Sequence, residues 1–103
     1  MPPVLPPAVL EVRLPAELPA DLARVAVHLG VRLRSGAVAV VVCHGQALPG
    51  ELASVDALAR LALVVRRAGA RFAVRGVRPE LAELVDLLGL GELLVLPPGQ
   101  PPW

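Results

Sequence analysis

Cys43 and His44 are the adjacent residues of this 103-residue sequence whose types could support nucleophilic chemistry. A thiolate is a nucleophile, and an imidazole beside it can accept its proton. The pair directly ends a valine-rich run, however, and adjacent side chains of a strand point to opposite faces of a sheet. The sequence therefore predicts a buried core thiol at Cys43, a common place for free cysteine. A thiol enzyme that uses Cys43 is kept as an alternative.

The sequence contains no convincing metal-binding or phosphate-binding motif. His28, Cys43 and His44 are too few and too scattered to predict a metal centre, and no glycine-rich phosphate loop is present. Positive charge concentrates after the central helix without aromatic neighbours, so nucleic acid is not an expected partner. These arginines, interpreted as solvated surface, are Arg66, Arg67, Arg71, Arg75 and Arg78. We expect no enzymatic activity, no metal and no cofactor.

Composition indicates one small intracellular domain. The net charge is +1, and a single cysteine permits no internal disulfide, as is usual in a reducing compartment. No run approaches the roughly 18 apolar residues of a membrane span. The segments 1–7 and 97–103 are rich in proline and are expected to be flexible, which leaves one domain over 8–96. We expect a cytoplasmic protein that does not insert into a membrane.

Hydrophobic periodicity predicts alternating strands and helices. Alternation or short apolar runs indicate strands, and stripes repeating every three to four residues indicate helices that begin near Pro19, Ser54 and Pro79. The expected strands are Ala8–Leu14, Ala37–Cys43, Ala70–Val74 and Glu92–Leu96. A helix after each of the first three strands favours a largely parallel sheet with right-handed crossovers.

The central stretch of the chain is Ala37–Gly69. Its valine-rich strand is expected to be buried on both faces, and the loop His44–Ala53 then leads into a helix over Ser54–Ala68. In open α/β sheets, ligands and partners bind at the carboxyl ends of the strands, where loops connect each strand to the following helix. Ser54 stands where an N-cap is expected, a role that serine fills well.

The outer side of the central helix combines charge with an apolar spot. Asp56 and Arg60 are spaced to form an ion pair, and helical geometry places Leu63 and Arg67 on the same side. Scattered exposed apolar side chains are normal on soluble proteins. A face that binds a partner is the alternative interpretation.

Two consecutive segments resemble a STAS domain, the domain of anti-sigma factor antagonists and of the cytoplasmic tails of sulfate transporters. They are VDALARLALVVRRAG (Val55–Gly69) and ARFAVRGVRPELAELVDLLGLGELLVL (Ala70–Leu96). Stand-alone actinobacterial STAS proteins are the most similar in pattern, and the resemblance extends over Ala37–Leu96. It implies a STAS-like α/β fold with a mostly parallel sheet of four to five strands and three helices.

The resemblance implies a partner-switching module in which a Ser or Thr at the start of the central helix is phosphorylated by an anti-sigma factor kinase. The family motif is roughly D-S-S-G-L. Glu51 aligns with its Asp, Leu52 and Ala53 with its two serines, and Ser54 with its Gly. Three possibilities follow for Ser54: a switch displaced by one residue, an N-cap only, or the remnant of a site that has lost its switch.

We therefore expect a regulatory module that binds a protein, with an anti-sigma factor or serine kinase as the implied partner and a homodimer possible. A structural subunit of an ABC-type lipid transport system is the alternative with the same fold. The expected contact surface comprises the loop Gly45–Ala53 and the start and outer side of the central helix. Its named members are Glu51, Leu52, Ala53, Ser54, Asp56, Arg60, Leu63 and Arg67.

Overall fold

The computed structural model describes residues 8–34 and 38–91 of the chain. Three strands alternate there with three helices, in the order β1 Ala8–Arg13, α1 Leu18–Arg34, β2 Val38–His44, α2 Leu52–Arg67, β3 Arg71–Arg75 and α3 Pro79–Leu87. The strands form one parallel sheet in the order β1-β2-β3. The expected α/β class is confirmed, with three strands in the described ranges instead of four or five. The expected strand Glu92–Leu96 lies outside the described residues.

The start of α2 differs most from the sequence prediction. The helix begins at Leu52, two residues before Ser54, because Glu51 is extended and its carbonyl already accepts the N–H of Ser54 at 3.0 Å. Glu51 is therefore the N-cap residue, and its side chain makes no capping hydrogen bond. The expectation that Ser54 caps this helix is wrong.

All three helices pack on one face of the sheet. Sequential parallel strands joined by crossovers of the same hand place successive helices on the same side. Leu29 of α1, Leu58 of α2 and Leu81 of α3 are fully buried and belong to a single apolar cluster. The sheet residues of that cluster are Val41, Cys43, Phe72 and Val74.

The opposite face of the sheet, here called the open face, carries three rows of side chains. The register places Val9, Val40 and Arg71 in the first row, Glu11, Val42 and Ala73 in the second, and Arg13, His44 and Arg75 in the third. Burial of β2 on both faces holds only for Val41–Cys43, since Val38 and Val40 are half-buried and Ala39 is exposed. The prediction of burial on both faces was therefore wrong for the first half of β2.

Two glycines make a matched pair for testing the packing. A Cβ on Gly50 would lie 2.6 Å from Cβ of Glu80, where the loop before α2 meets the start of α3, whereas a Cβ on Gly30 in α1 would meet nothing within 4 Å. Gly50→Ala is expected to lower the free energy of unfolding by about 2 kcal/mol through overpacking. Gly30→Ala should raise it by about 1 kcal/mol, because alanine is the better helix former. Urea denaturation of both variants measures the difference, and a Gly50→Ala protein as stable as the wild type would contradict this packing.

None of the helices within the described ranges combines the length and the apolar character that crossing a membrane requires.

Candidate functional site

The outer side of α2 presents one continuous strip of exposed side chains. Its members follow at helical spacings of four, four, three and four residues, which keeps them on one side of the helix. We call Leu52, Asp56, Arg60, Leu63 and Arg67 the α2 strip. All five are exposed, including 62% of Leu52 and 45% of Leu63. The expected position of Asp56, Arg60, Leu63 and Arg67 on the outer side of the helix is thus confirmed, whereas Leu52 was expected in the loop and lies in the first turn of α2.

An ion pair lies between the two leucines of the α2 strip. Nε of Arg60 donates to Oδ2 of Asp56 at 2.9 Å, one helical turn away. Both side chains are largely exposed, so the pair contributes at most about 0.5 kcal/mol to stability. Its effect on the surface is greater than its effect on the fold, because it fixes two complementary charges between Leu52 and Leu63.

The loop before α2 is anchored in the core by Leu48 and exposed at its end. Leu48 is fully buried in the core, and its N–H donates to the carbonyl of Gly45 at 3.1 Å. Glu51 and Ala53 are exposed beside Leu52. The chain thereby presents the last residues of the loop and the first turn of α2 next to the α2 strip.

Ser54 is the one individually named member of the expected contact surface that is buried, and Gly45 and Leu48 of the loop are buried as well. It is 0% exposed, and its Oγ has no hydrogen-bond partner among the described residues. The helix begins two residues early, so position 54 points into the core instead of capping the first turn. The expectation of an exposed Ser54 is wrong, and its hydroxyl is out of reach of a second protein while α2 is folded.

Cys43 and His44 lie on opposite faces of the sheet, as strand geometry predicts. Cys43 is 0% exposed in the core, and burial raises the pKa of its thiol to about 12. Nε2 of His44 lies 2.8 Å from Oε1 of Glu11 on the open face. The two residues therefore do not form a thiolate–imidazole pair, and a thiol buried and protonated in this way is a poor nucleophile.

Sequence reasoning missed the contact between His44 and Glu11. The two residues are far apart in the sequence, and only the register of β1 with β2 brings them together. The arginines that follow α2 do not form one patch either: Arg71 and Arg75 lie on the open face, whereas Nε of Arg78 donates to the carbonyl of Gln46 at 3.1 Å. Within residues 8–34 and 38–91, no three His, Cys, Asp or Glu side chains are close enough together to hold a metal ion.

No protein-family model, curated protein or solved structure matches the chain. Function is therefore inferred from the geometry of the residues, together with the STAS resemblance of residues 37–96. Among the described residues, the α2 strip on the helical side and the third row of the open face on the other side carry exposed side chains that can contact another molecule, and the loop between β2 and α2 adjoins both.

Proposed function

We propose that this chain is a regulatory protein-binding module of the anti-sigma factor antagonist type, which docks on its partner through the α2 strip. The observation that carries the proposal is the pair of exposed leucines, Leu52 and Leu63, on either side of the Asp56–Arg60 ion pair. Apolar anchors beside fixed charges give a partner both binding energy and orientation.

The position of the α2 strip supports this proposal more than exposure alone does. Exposed apolar side chains also occur on the other helices, at Val27 and Val31 of α1 and at Leu87 and Leu88 of α3. The α2 strip differs from these because it continues into the exposed end of the loop after β2, at the carboxyl edge of the sheet. The STAS resemblance implies contact with a protein partner at the same loop and helix.

The burial of Ser54 favours a module that has lost the phosphorylation switch. A phosphate ester would add about 1.5 to 2 negative charges at a position with no exposed surface. Isolated charge in a protein interior costs several kcal/mol unless it is paired. We propose that binding is constitutive and that the partner docks on the folded helix without modification of Ser54.

Leu63→Asp tests the docking surface. A purified anti-sigma factor kinase is titrated calorimetrically into the wild type, into Leu63→Asp and into Val9→Asp, which places the same new charge on the open face. Leu63→Asp is expected to weaken binding by about 100-fold, because it loses the apolar burial of one leucine and leaves a desolvated carboxylate. Val9→Asp should bind within about twofold of the wild type, since it changes a surface away from α2. Equal affinity of Leu63→Asp and the wild type would contradict the proposal, and thermal melts of both variants verify folding.

The second candidate is a structural subunit of an ABC-type lipid transport system. The same burial of Ser54 favours it, because such a subunit docks without being phosphorylated. Copurification with a membrane ATPase, lost in Leu63→Asp and retained in Val9→Asp, distinguishes this candidate from binding to an anti-sigma factor kinase.

A further inference from the structure

Three basic side chains lie side by side across the open face at the carboxyl ends of the strands. The register pairs His44 with Arg13 on one side and with Arg75 on the other. Adjacent strands are about 4.8 Å apart, so the backbones of the two arginines are about 10 Å apart with the imidazole between them. We call Arg13, His44 and Arg75 the basic row. Both arginines are exposed and His44 is half-buried.

The described part of the chain does not neutralise the basic row. The carboxylate of Glu11 contacts His44 at 2.8 Å and pairs with that member of the basic row. Within residues 8–34 and 38–91, no carboxylate lies within ion-pair distance of Arg13 or Arg75. Arg13 and Arg75 carry like charges about 10 Å apart on either side of His44, and an anion bound across the row would offset their repulsion. Arrangements that cost stability without an internal gain are expected at functional sites.

A cleft opens beside the basic row at the same edge of the sheet. Its volume is about 510 Å³, and it is lined by Arg13, Leu14, His44, Gln46 and Ala47. That volume lies within the range of small-molecule sites, and the carboxyl edge of a parallel sheet is where such sites form. Ala47 is exposed at the rim of the cleft beside the two basic side chains, whereas the side chain of Leu14 is buried in the core.

The polar groups around the cleft are held in place by their neighbours. The carbonyl of Gln46 accepts a hydrogen bond from Nε of Arg78 at 3.1 Å. The side chain of Gln46 lies against Gly76, where a Cβ would approach its Nε2 to 2.7 Å and where φ is +71°. Only glycine fits that position easily. Glu11 fixes the imidazole of His44 in the same way, so the site is organised before a ligand arrives.

We propose that the basic row and the cleft bind a small phosphorylated molecule. Its phosphate lies across Arg13, His44 and Arg75, because guanidinium groups make charge-assisted and bidentate hydrogen bonds to phosphate. The rest of the molecule lies in the cleft beside Gln46 and Ala47, which are both exposed. The basic row is on the other side of the sheet from the α2 strip, and the cleft shares Gln46 and Ala47 with the loop before α2. The proposal rests on the basic row and the cleft and not on the proposed docking function.

Titration with phenyl phosphate and with inorganic phosphate tests the site, followed by two-dimensional NMR of the amide groups. Phenyl phosphate is expected to bind saturably, with shifts at residues 13, 44 and 46, and about tenfold more tightly than inorganic phosphate because its ring enters the cleft. Arg13→Ala and Arg75→Ala should each lower the affinity for phenyl phosphate by about tenfold.

Arg71→Ala is the matched control, because Arg71 lies on the same strand and face as Arg75, two rows away. It removes the same charge and should change the affinity by less than about twofold. Equal weakening by Arg71→Ala and Arg75→Ala would overturn the site, since it would show diffuse attraction to positive charge. Absence of saturation up to about 10 mM phenyl phosphate, or equal affinity for the two probes, would overturn it as well. All four proteins are compared at one salt concentration, and their unperturbed spectra verify folding.

Discussion

Raising the pH to about 11 is expected to lower the free energy of unfolding by roughly 2 to 3 kcal/mol relative to neutral pH, through ionisation of Cys43 in the unfolded chain. Burial raises the pKa of this thiol from 9.0 to about 12. Between those values the unfolded chain loses the thiol proton while the folded chain keeps it. The unfolded state therefore binds fewer protons, and stability falls as the pH rises. The stabilisation is fully present below pH 9.0 and is lost progressively towards pH 12.

The composition of the chain makes this test unusually specific. The sequence has no Tyr, and its ten cationic side chains are all Arg, which stays protonated in this range. Urea denaturation at about pH 8, 10 and 11 measures the effect, and Cys43→Ala is the control, expected to be less stable at neutral pH but nearly independent of alkaline pH. If the stability of the wild type changes as little with alkaline pH as that of Cys43→Ala, the burial of the thiol is contradicted.

Ser54→Asp is expected to destabilise the fold by about 3 kcal/mol or more at neutral pH, because it places a carboxylate where no surface is exposed. Ala53→Asp is the matched control. Ala53 is the neighbouring residue in the first turn of α2 but is exposed, and an acidic side chain near a helix N-terminus stabilises by up to about 1 kcal/mol. The two variants carry the same charge one residue apart and should shift stability in opposite directions.

Ser54→Ala completes this series. It removes a buried hydroxyl that has no partner among the described residues, so it should raise the free energy of unfolding by about 1 kcal/mol. Chemical denaturation of the three variants gives the ranking Ser54→Ala, Ala53→Asp, wild type and Ser54→Asp, with the first two above the wild type. A fully stable Ser54→Asp would show that this position faces solvent, and would restore Ser54 as a candidate switch.

The sequence predicted the fold class and the outer side of α2 because each depends on local periodicity. Valine-rich β2 and the stripe through Leu58 of α2 specify a strand and a helix with no knowledge of their neighbours. The exposed side of α2 followed from the same geometry, which is why Asp56, Arg60 and Leu63 were correctly placed.

The sequence could not predict the environment of Ser54, because that depends on where α2 begins. A shift of two residues turns an expected cap into a core position, and helix ends are poorly specified by periodicity. A signal was present in that Leu52 and Ala53 are better helix formers than capping residues. The proline-containing loop before them nonetheless favoured a later start.

The sequence could not predict the basic row for a different reason. Arg13, His44 and Arg75 come from three strands, and only the strand order and register place them side by side. Sequence reasoning grouped Arg75 with Arg66, Arg67 and Arg71, its neighbours in the chain. In the structure, Arg75 instead lies beside His44, because strand pairing brings together residues that are distant in the chain.

Constitutive docking through α2 is tested most directly by one titration after exposure to ATP. The wild type is incubated with purified anti-sigma factor kinase and Mg-ATP, its intact mass is recorded, and its affinity for the kinase is then measured beside a sample kept without ATP. We expect an unchanged mass and equal affinities, because the Ser54 hydroxyl is enclosed by the folded helix. A mass increase of one phosphate at Ser54, together with loss of binding, would contradict constitutive docking.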